Sequence, residues 1–421
     1  MTEYPDALTY LYSLEKRGMV FGLDNIRWIL HRIGNPHDFL KTVHIGGTNG
    51  KGSVAAMLSH ILKDAGYKVG KYTSPHLVSF TERITINEER ITEAEVAEYI
   101  THIRHNIDGL DPKRTFTFFD FTTALAFEYF YRNDVDIALI EVGLGGRLDS
   151  TNVVNPIVSV ITNVAFDHMD YLGEDILQIA REKAGIIKKG VPVVTGAQDL
   201  PGRIIEETGK MNNSSVYVVG RDFSYEKTGT QVMSYSGLSI KLDDIFINLK
   251  GDYQFGNAAT ALCTAELLSM LGFGMDQRAL YNGLSQVVWP GRLEIVEKKP
   301  TILLDGAHNV DGIKTLVNFI KNQFAGRRRV LIFGVMKDKE YEKMLGEVLP
   351  CVDEVIFTSS TNERALIPAS MKKSMPEAIV AENPSGALKK AKSISNENDV
   401  LIITGSLYLV GECYAIIDDI F

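Results

Sequence analysis

The chain has 421 residues, 45% of them hydrophobic and 23% charged, and a net charge of −9. That length and balance describe a soluble globular protein of two or three domains, and the acidic charge argues against a nucleic-acid or anionic-membrane surface. No apolar run approaches the ~18 residues of a membrane-spanning helix, and the start Met1-Thr2-Glu3-Tyr4-Pro5-Asp6 lacks the features of a signal peptide. Cys263, Cys351 and Cys413 are too few and too far apart for a disulfide framework or zinc site, so a reducing cytoplasm is the expected setting.

Short β-rich runs alternate with helical patterns, which predicts an α/β fold with mostly parallel sheets. In the first part, strands are predicted at 43–45, 68–72, 137–142, 157–162 and 191–195. A helix is predicted over 53–65, with Val54, Leu58, Ile61, Leu62 and Ala65 at helical spacing and Gly66 as its stop. A second helix is expected at 175–184. Residues 213–250 read as short strands with polar turns, a β-rich excursion of the first domain. The Pro290-Gly291 turn precedes a restart of the α/β pattern, with strands at 301–304, 330–333, 355–358 and 400–404 and a helix at 313–320. The expected domains are 1–295 and 296–421.

Gly47-Thr48-Asn49-Gly50-Lys51-Gly52-Ser53 lies between the first strand and the helix after it. Glycines there let backbone N–H groups converge on phosphate oxygens, and a helix N-terminus favours anions. Lys51 would reach the β and γ phosphates and Ser53 would offer a hydroxyl to Mg²⁺. The common pattern places Ser or Thr directly after the Lys, and here Gly52 intervenes. The alternative reading is a glycine-rich turn without a ligand. Glu141, at the carboxyl end of a predicted parallel strand, reads either as a magnesium-directed carboxylate facing the usual ligand crevice or as a strand-end residue meeting solvent.

The segment His44-Ile45-Gly46-Gly47-Thr48-Asn49-Gly50-Lys51-Gly52-Ser53 resembles the phosphate loop of folylpolyglutamate synthases, members of an ATP-dependent ligase superfamily that includes the muramyl-peptide ligases. Seven further segments or groups resemble the same family in the same order: Tyr72 to Leu77 with Glu82-Arg83-Ile84, Glu141 to Asp149, Asp167-His168, Glu182 to Ile186, Trp289 to Glu294, Asp305 to Asn309 and Thr404 to Tyr408. The resemblance implies an N-terminal P-loop domain and a smaller C-terminal Rossmann-like domain, with ATP and substrates in the cleft between them. It also implies amide formation in two steps. ATP phosphorylates a carboxylate of a folate or pteroate, and the amine of L-glutamate then displaces phosphate. A monomer without nucleic-acid or membrane partners is expected.

The same resemblance assigns residues. Lys51, His168, Lys183, Asp305 and His308 would act near the reacting centre, and Asn257, Arg292 and Asp305 would contact the nucleotide. A first magnesium would sit at Ser53 and a second at Ser74, Glu141 and His168. Lys183, otherwise a plain helix lysine, would be carbamylated. Arg83, Phe121 and Asp149 are candidates for the pterin side, although an apolar cluster such as Phe118 to Phe121 also reads as core. Ser406 would contact glutamate or cap the following helix.

Three departures stand out: Asp120 where relatives usually have Glu, Tyr253 in place of His, and Met169 in place of Thr. Gly146 to Asp149 resembles bifunctional members that also accept dihydropteroate. Rival readings are a cell-wall peptide ligase, disfavoured by Gly52 and Ser74-Pro75-His76, and a P-loop GTPase, disfavoured by the lack of an Asn-Lys-x-Asp motif. A non-catalytic nucleotide-binding scaffold would have lost the charged set Lys51, Glu141, His168 and Arg292, and all four are present.

Overall fold

A computed structural model describes residues 3–15, 20–111 and 114–421. Eight strands form the first sheet: β1 (Thr42–Gly46), β2 (Val69–Tyr72), β3 (Ile84–Ile86), β4 (Glu89–Arg90), β5 (Ile137–Glu141), β6 (Val158–Ile161), β7 (Val193–Thr195) and β8 (Val216–Val218), in the order β4-β3-β2-β5-β1-β6-β7-β8. Every pair from β2 to β8 is parallel, and only the β2–β3–β4 edge runs antiparallel. β1 and β5 are buried along their whole length, as expected for parallel strands covered on both faces. The mostly parallel α/β architecture expected from the sequence is therefore present.

The helix after the phosphate loop runs Lys51–Asp64, two residues earlier than its apolar spacing suggests. Its Val54, Met57, Leu58, Ile61 and Leu62 are completely buried against β1, β5 and the helices Tyr253–Met270 and Gln277–Gln286. Each such side chain contributes roughly 1.5–3 kcal/mol by leaving water, which makes this helix a rigid base for the loop at its N-terminus. The other face of the sheet is covered by the N-terminal helices Tyr4–Glu15 and Asp24–Arg32 with Glu93–Ile107 and Phe118–Arg132.

The β-rich excursion is an antiparallel meander, β9 (Ser224–Gly229), β10 (Val232–Ser236) and β11 (Lys241–Phe246). One buried carboxylate pins it to the helix Tyr253–Met270. Glu266 accepts from the Tyr235 hydroxyl at 2.7 Å, from Leu238 N at 3.0 Å, and from the N–H and hydroxyl of Ser239 at 2.7 and 2.9 Å. Glu266→Ala leaves these donors without an acceptor, so a loss of roughly 3 kcal/mol in unfolding free energy is expected. Denaturant titration checks this, with faster amide exchange at residues 238–240 as the local sign.

Six strands form the second sheet, β12 (Glu294–Val296), β13 (Thr301–Leu304), β14 (Arg329–Phe333), β15 (Glu354–Phe357), β16 (Ile379–Val380) and β17 (Val400–Thr404), ordered β12-β13-β17-β14-β15-β16. All neighbours are parallel except β12 and β13. β12 crosses the expected domain junction at 295/296. Among the described residues no helix is long and apolar enough to cross a membrane.

Candidate active site

A cleft of about 460 Å³ lies where the two sheets meet, lined by the phosphate loop from one side and by Arg292, Asp305, Ala307 and His308 from the other. The loop leaves β1 and is fastened to the segment after β6. Thr48 N donates to Asn163 O at 3.0 Å, Asn49 N to Asn163 Oδ1 at 2.8 Å, and the Thr162 hydroxyl to Asn49 O at 2.6 Å. Asn163 is a site residue that sequence reasoning missed, since no short motif surrounds it. Gly50 has φ +84° and precedes the first turn of the helix. A Cβ there would lie 2.5 Å from Asn257 Oδ1, so the loop and the predicted nucleotide-contacting Asn257 are in direct contact.

Gly52 has a different reason. A Cβ at this position would lie 2.5 Å from Cζ2 of Trp289. The indole of the inter-sheet linker occupies the space that a side chain between Lys51 and Ser53 would need, and the Lys71 ammonium lies over the same ring at 5.2 Å. The glycine that departs from the common pattern is therefore where the linker leans on the phosphate loop.

Lys51 Nζ donates to the carbonyls of Gly47 at 3.1 Å and Thr48 at 3.0 Å, both within its own loop. Lys183, from the helix Ile176–Ala184, is buried and donates to Gly47 O at 2.9 Å. Burial first, and the nearby Lys51 charge second, push its amine down to about 7. Glu141 ends β5 at the cleft floor, where burial raises its carboxyl while Lys51, the Ser74 N–H and Arg292 oppose the rise. Its hydrogen bond from Ser74 N is long, 3.3 Å. The Ser53 hydroxyl, nearly buried, faces Gln254 Nε2 at 3.3 Å.

Asp167 joins the two halves. It accepts from Lys339 Nζ at 2.6 Å and Asn309 Nδ2 at 3.2 Å, and His308 Nε2 lies 3.6 Å away. Burial would raise this carboxyl, but the nearby His308, with His168 and Lys339, holds it well below the usual carboxylate range. Asn49 adds two more bridges, donating to Asp311 at 2.9 Å and accepting from Asn309 at 3.1 Å. Lys339 and Asp167 were not among the residues singled out for a role. His168 has φ +50° and its Nε2 faces Lys339 Nζ at 3.4 Å. Burial, and Lys339 against the opposing Asp167, hold its ring down at about 4, so the imidazole is neutral and turned toward the inter-sheet network.

Other expected residues are placed differently. Phe121 is completely buried and packs edge-on against Tyr10, 5.3 Å between centroids. It belongs to the core, because both faces of the ring are covered and none is open to a ligand. Ser406 caps the helix Leu407–Tyr414, accepting from Tyr408 N at 3.2 Å. Arg83 is buried between Phe80 and Phe118 and donates to His76 Nδ1 at 2.7 Å. Asp149 is buried behind the cleft wall, accepting from Leu144 N at 2.7 Å and Thr151 N at 3.0 Å. Asp305 borders the cleft, yet its oxygens accept from the backbone of Leu293 at 2.9 Å and Ala307 at 3.0 Å, which ties the linker to β13. Asp120, the shortened carboxylate, forms the capping box of helix Phe118–Arg132 with Thr117 and accepts from Ser150 Oγ at 2.7 Å. Its carboxylate is thereby occupied within its own neighbourhood.

Comparison with known proteins agrees with this arrangement. Residues 45–265 match the Mur ligase middle domain and residues 291–407 the Mur ligase glutamate ligase domain. The chain is 34% identical to a dihydrofolate synthase/folylpolyglutamate synthase of Bacillus subtilis, covering 98% of each chain. It is 35% identical to a folylpolyglutamate synthase of Lacticaseibacillus casei, covering 96% of each. Among solved structures, the folylpolyglutamate synthase of Thermotoga maritima superposes with a TM-score of 0.86 at 37% identity, covering 99% of this chain and 96% of that one. The Mycobacterium tuberculosis enzyme complexed with ADP superposes at 0.91 with 31% identity, covering 98% and 99%. Similarity of this extent runs along nearly the full length of these relatives, and the chain belongs to the folylpolyglutamate synthase/dihydrofolate synthase family of Mur-ligase-like proteins.

Proposed function

We propose that this protein is an ATP-dependent ligase that joins L-glutamate to folates, and to dihydropteroate, through an acyl phosphate, releasing ADP and phosphate. The observation that carries the reading is the convergence of Lys51, Lys183 and Arg292 on a cleft that also holds Glu141 and His308. A carboxylate anion is a poor electrophile, and transfer of the γ-phosphoryl group to its oxygen creates a leaving group. The glutamate amine then forms the C–N bond as the C–O bond to phosphate breaks. Both steps build negative charge on oxygen, and fixed cations in a sheltered cleft stabilise it. In this reading ATP lies on the phosphate loop beside Asn257 and Arg292. The acceptor lies against the opposite wall, Glu141 to Gly145.

Magnesium fits part of this donor set. Ser53, Ser74 and Glu141 offer hard oxygens, and the Glu141 carboxylate has few protein donors. Among the described residues no three His, Cys, Asp or Glu side chains are arranged so as to hold a metal ion by themselves. An ion here would complete its shell with water and phosphate, as Mg²⁺ commonly does. His168 as placed is turned to Lys339 instead. The chemistry magnesium supplies when bound is neutralisation of phosphoryl charge. Carbamylation of Lys183 is supported by its buried amine, which is half unprotonated near pH 7. Its nitrogen would bond the carbon of CO₂ and release a proton. Incorporation of ¹³C from bicarbonate, followed by carbamate NMR, is expected to rise as pH rises through about 7, and no signal across that range would remove the idea.

The test of the function is ADP release by the purified protein over a grid of acceptors and amino acids. Release that requires both L-glutamate and a folate or dihydropteroate is expected. No stimulation by any pterin acceptor would overturn the proposal.

A further inference from the structure

His44 stands on β1, three residues before the phosphate loop, in register with Ile140 of β5 and Ser159 of β6. Its ring is completely buried. Nε2 lies 2.9 Å from Thr151 Oγ1, whereas Nδ1 is buried with no hydrogen-bond partner among the described residues. The Thr151 hydroxyl is likewise buried and also bonds Asp149 Oδ1. Asp149 in turn accepts from the backbone N–H of Thr151 and Leu144.

The proton count along this chain has one solution while Asp149 is ionised. A carboxylate only accepts, and a hydroxyl has a single proton to give. The Thr151 proton therefore goes to Asp149, and its oxygen must accept from His44. The neutral ring then carries its one proton on Nε2, which accounts for the bare Nδ1. Charging of the ring is opposed by burial and by Lys188, which together hold it down at about 3. Burial raises the Asp149 carboxyl to about 6, and the Thr151 hydroxyl and the loop amides counter that rise. Lys183 is the cation that faces Asp149.

We propose that His44 is a positioning residue. Through Thr151 it keeps Asp149 an acceptor, and Asp149 holds the Leu144 amide and so the Gly143 to Gly145 wall of the cleft. The relay lies wholly outside the nucleotide contacts, because the phosphate loop is fastened through Thr162 and Asn163 instead. The expected consequence rests on the proposed placement of the acceptor against this wall. Loss of the relay raises acceptor KM and leaves ATP KM in place.

The test uses the intact protein. With ¹⁵N-histidine labelling, one of the nine histidines, identified by its loss in His44→Gln, should show a neutral Nε2–H tautomer. That signal should not titrate between about pH 6 and 8. Thr151→Val and His44→Met should each raise acceptor KM roughly tenfold, the size of one hydrogen bond to a charged group, and the double variant should add little. His44→Gln, which retains a donor at similar reach, and Thr151→Ser should restore it. A purely structural role would lower stability without sorting the variants by donor. An Nδ1–H or charged His44, or unchanged acceptor KM in Thr151→Val, would overturn the relay. If the wild-type protein shows no pterin-dependent ADP release, the proposed function falls instead, and the tautomer alone then decides whether the relay exists.

Discussion

Replacing Lys51 with alanine is expected to lower turnover roughly 10²–10³-fold, the range seen when one preorganised charge-stabilising donor is removed from an active site. Among the described residues its ammonium donates only to Gly47 O and Thr48 O, within the loop. Lys183 still donates to Gly47 O at 2.9 Å when Lys51 is removed, so the fold should be little affected. Lys183 gives a second, independent readout. The Lys51 charge is one cause of its depressed amine, after burial. Without Lys51 the Lys183 amine should titrate higher than about 7, and any CO₂ uptake should shift to higher pH. Initial-rate ADP release, circular-dichroism melting and the pH dependence of ¹³C uptake measure the three effects. Near-normal turnover in Lys51→Ala would remove the proposed phosphate contact.

Lys339→Met should have the second large effect, on closure of the cleft. The Lys339–Asp167 pair spans 2.6 Å, and each side chain is only 7% exposed. Removing one partner of a buried ion pair typically costs about 3–5 kcal/mol, and Asn309 and His308, which still face Asp167, place the expected cost at the lower end. The pair joins the two α/β units, so most of this cost should fall on their association. Expected signs are a larger radius of gyration by small-angle scattering, faster proteolysis near residues 289–293, and reduced kcat with each half still folded. Asp167→Asn combined with Lys339→Met removes both charges and should recover part of the loss. If the double variant is as open as Lys339→Met alone, the ion pair does not hold the halves together.

The phosphate loop was legible because its determinants are local. A strand, a glycine-rich turn and an amphipathic helix follow one another within about two dozen residues, and the backbone geometry of such a turn depends little on distant contacts. The parallel parts of the two sheets were legible for the same reason, as buried strands write continuous apolar runs. Lys339 was not legible. It sits in a polar loop, and its partner is 172 residues away. Trp289 was visible only as part of a turn motif, and its packing on Gly52 depends on how the linker returns to the first domain.

Burial decided the remaining cases. Phe121 and Ser406 each carry a residue type that can serve a ligand, and both are enclosed, one in an aromatic core and the other at a helix cap. Asp149 and Asp305 are buried and give their carboxyl oxygens to backbone amides. The sequence by itself determined the element types, the glycine-rich turn between β1 and its helix, and the family, since these follow from short-range spacing and composition. Only the tertiary structure decided which charges meet across the cleft and which candidate side chains are open to a ligand. Charge pairing and desolvation act between residues brought together by the fold, and neither leaves a periodic trace along the chain.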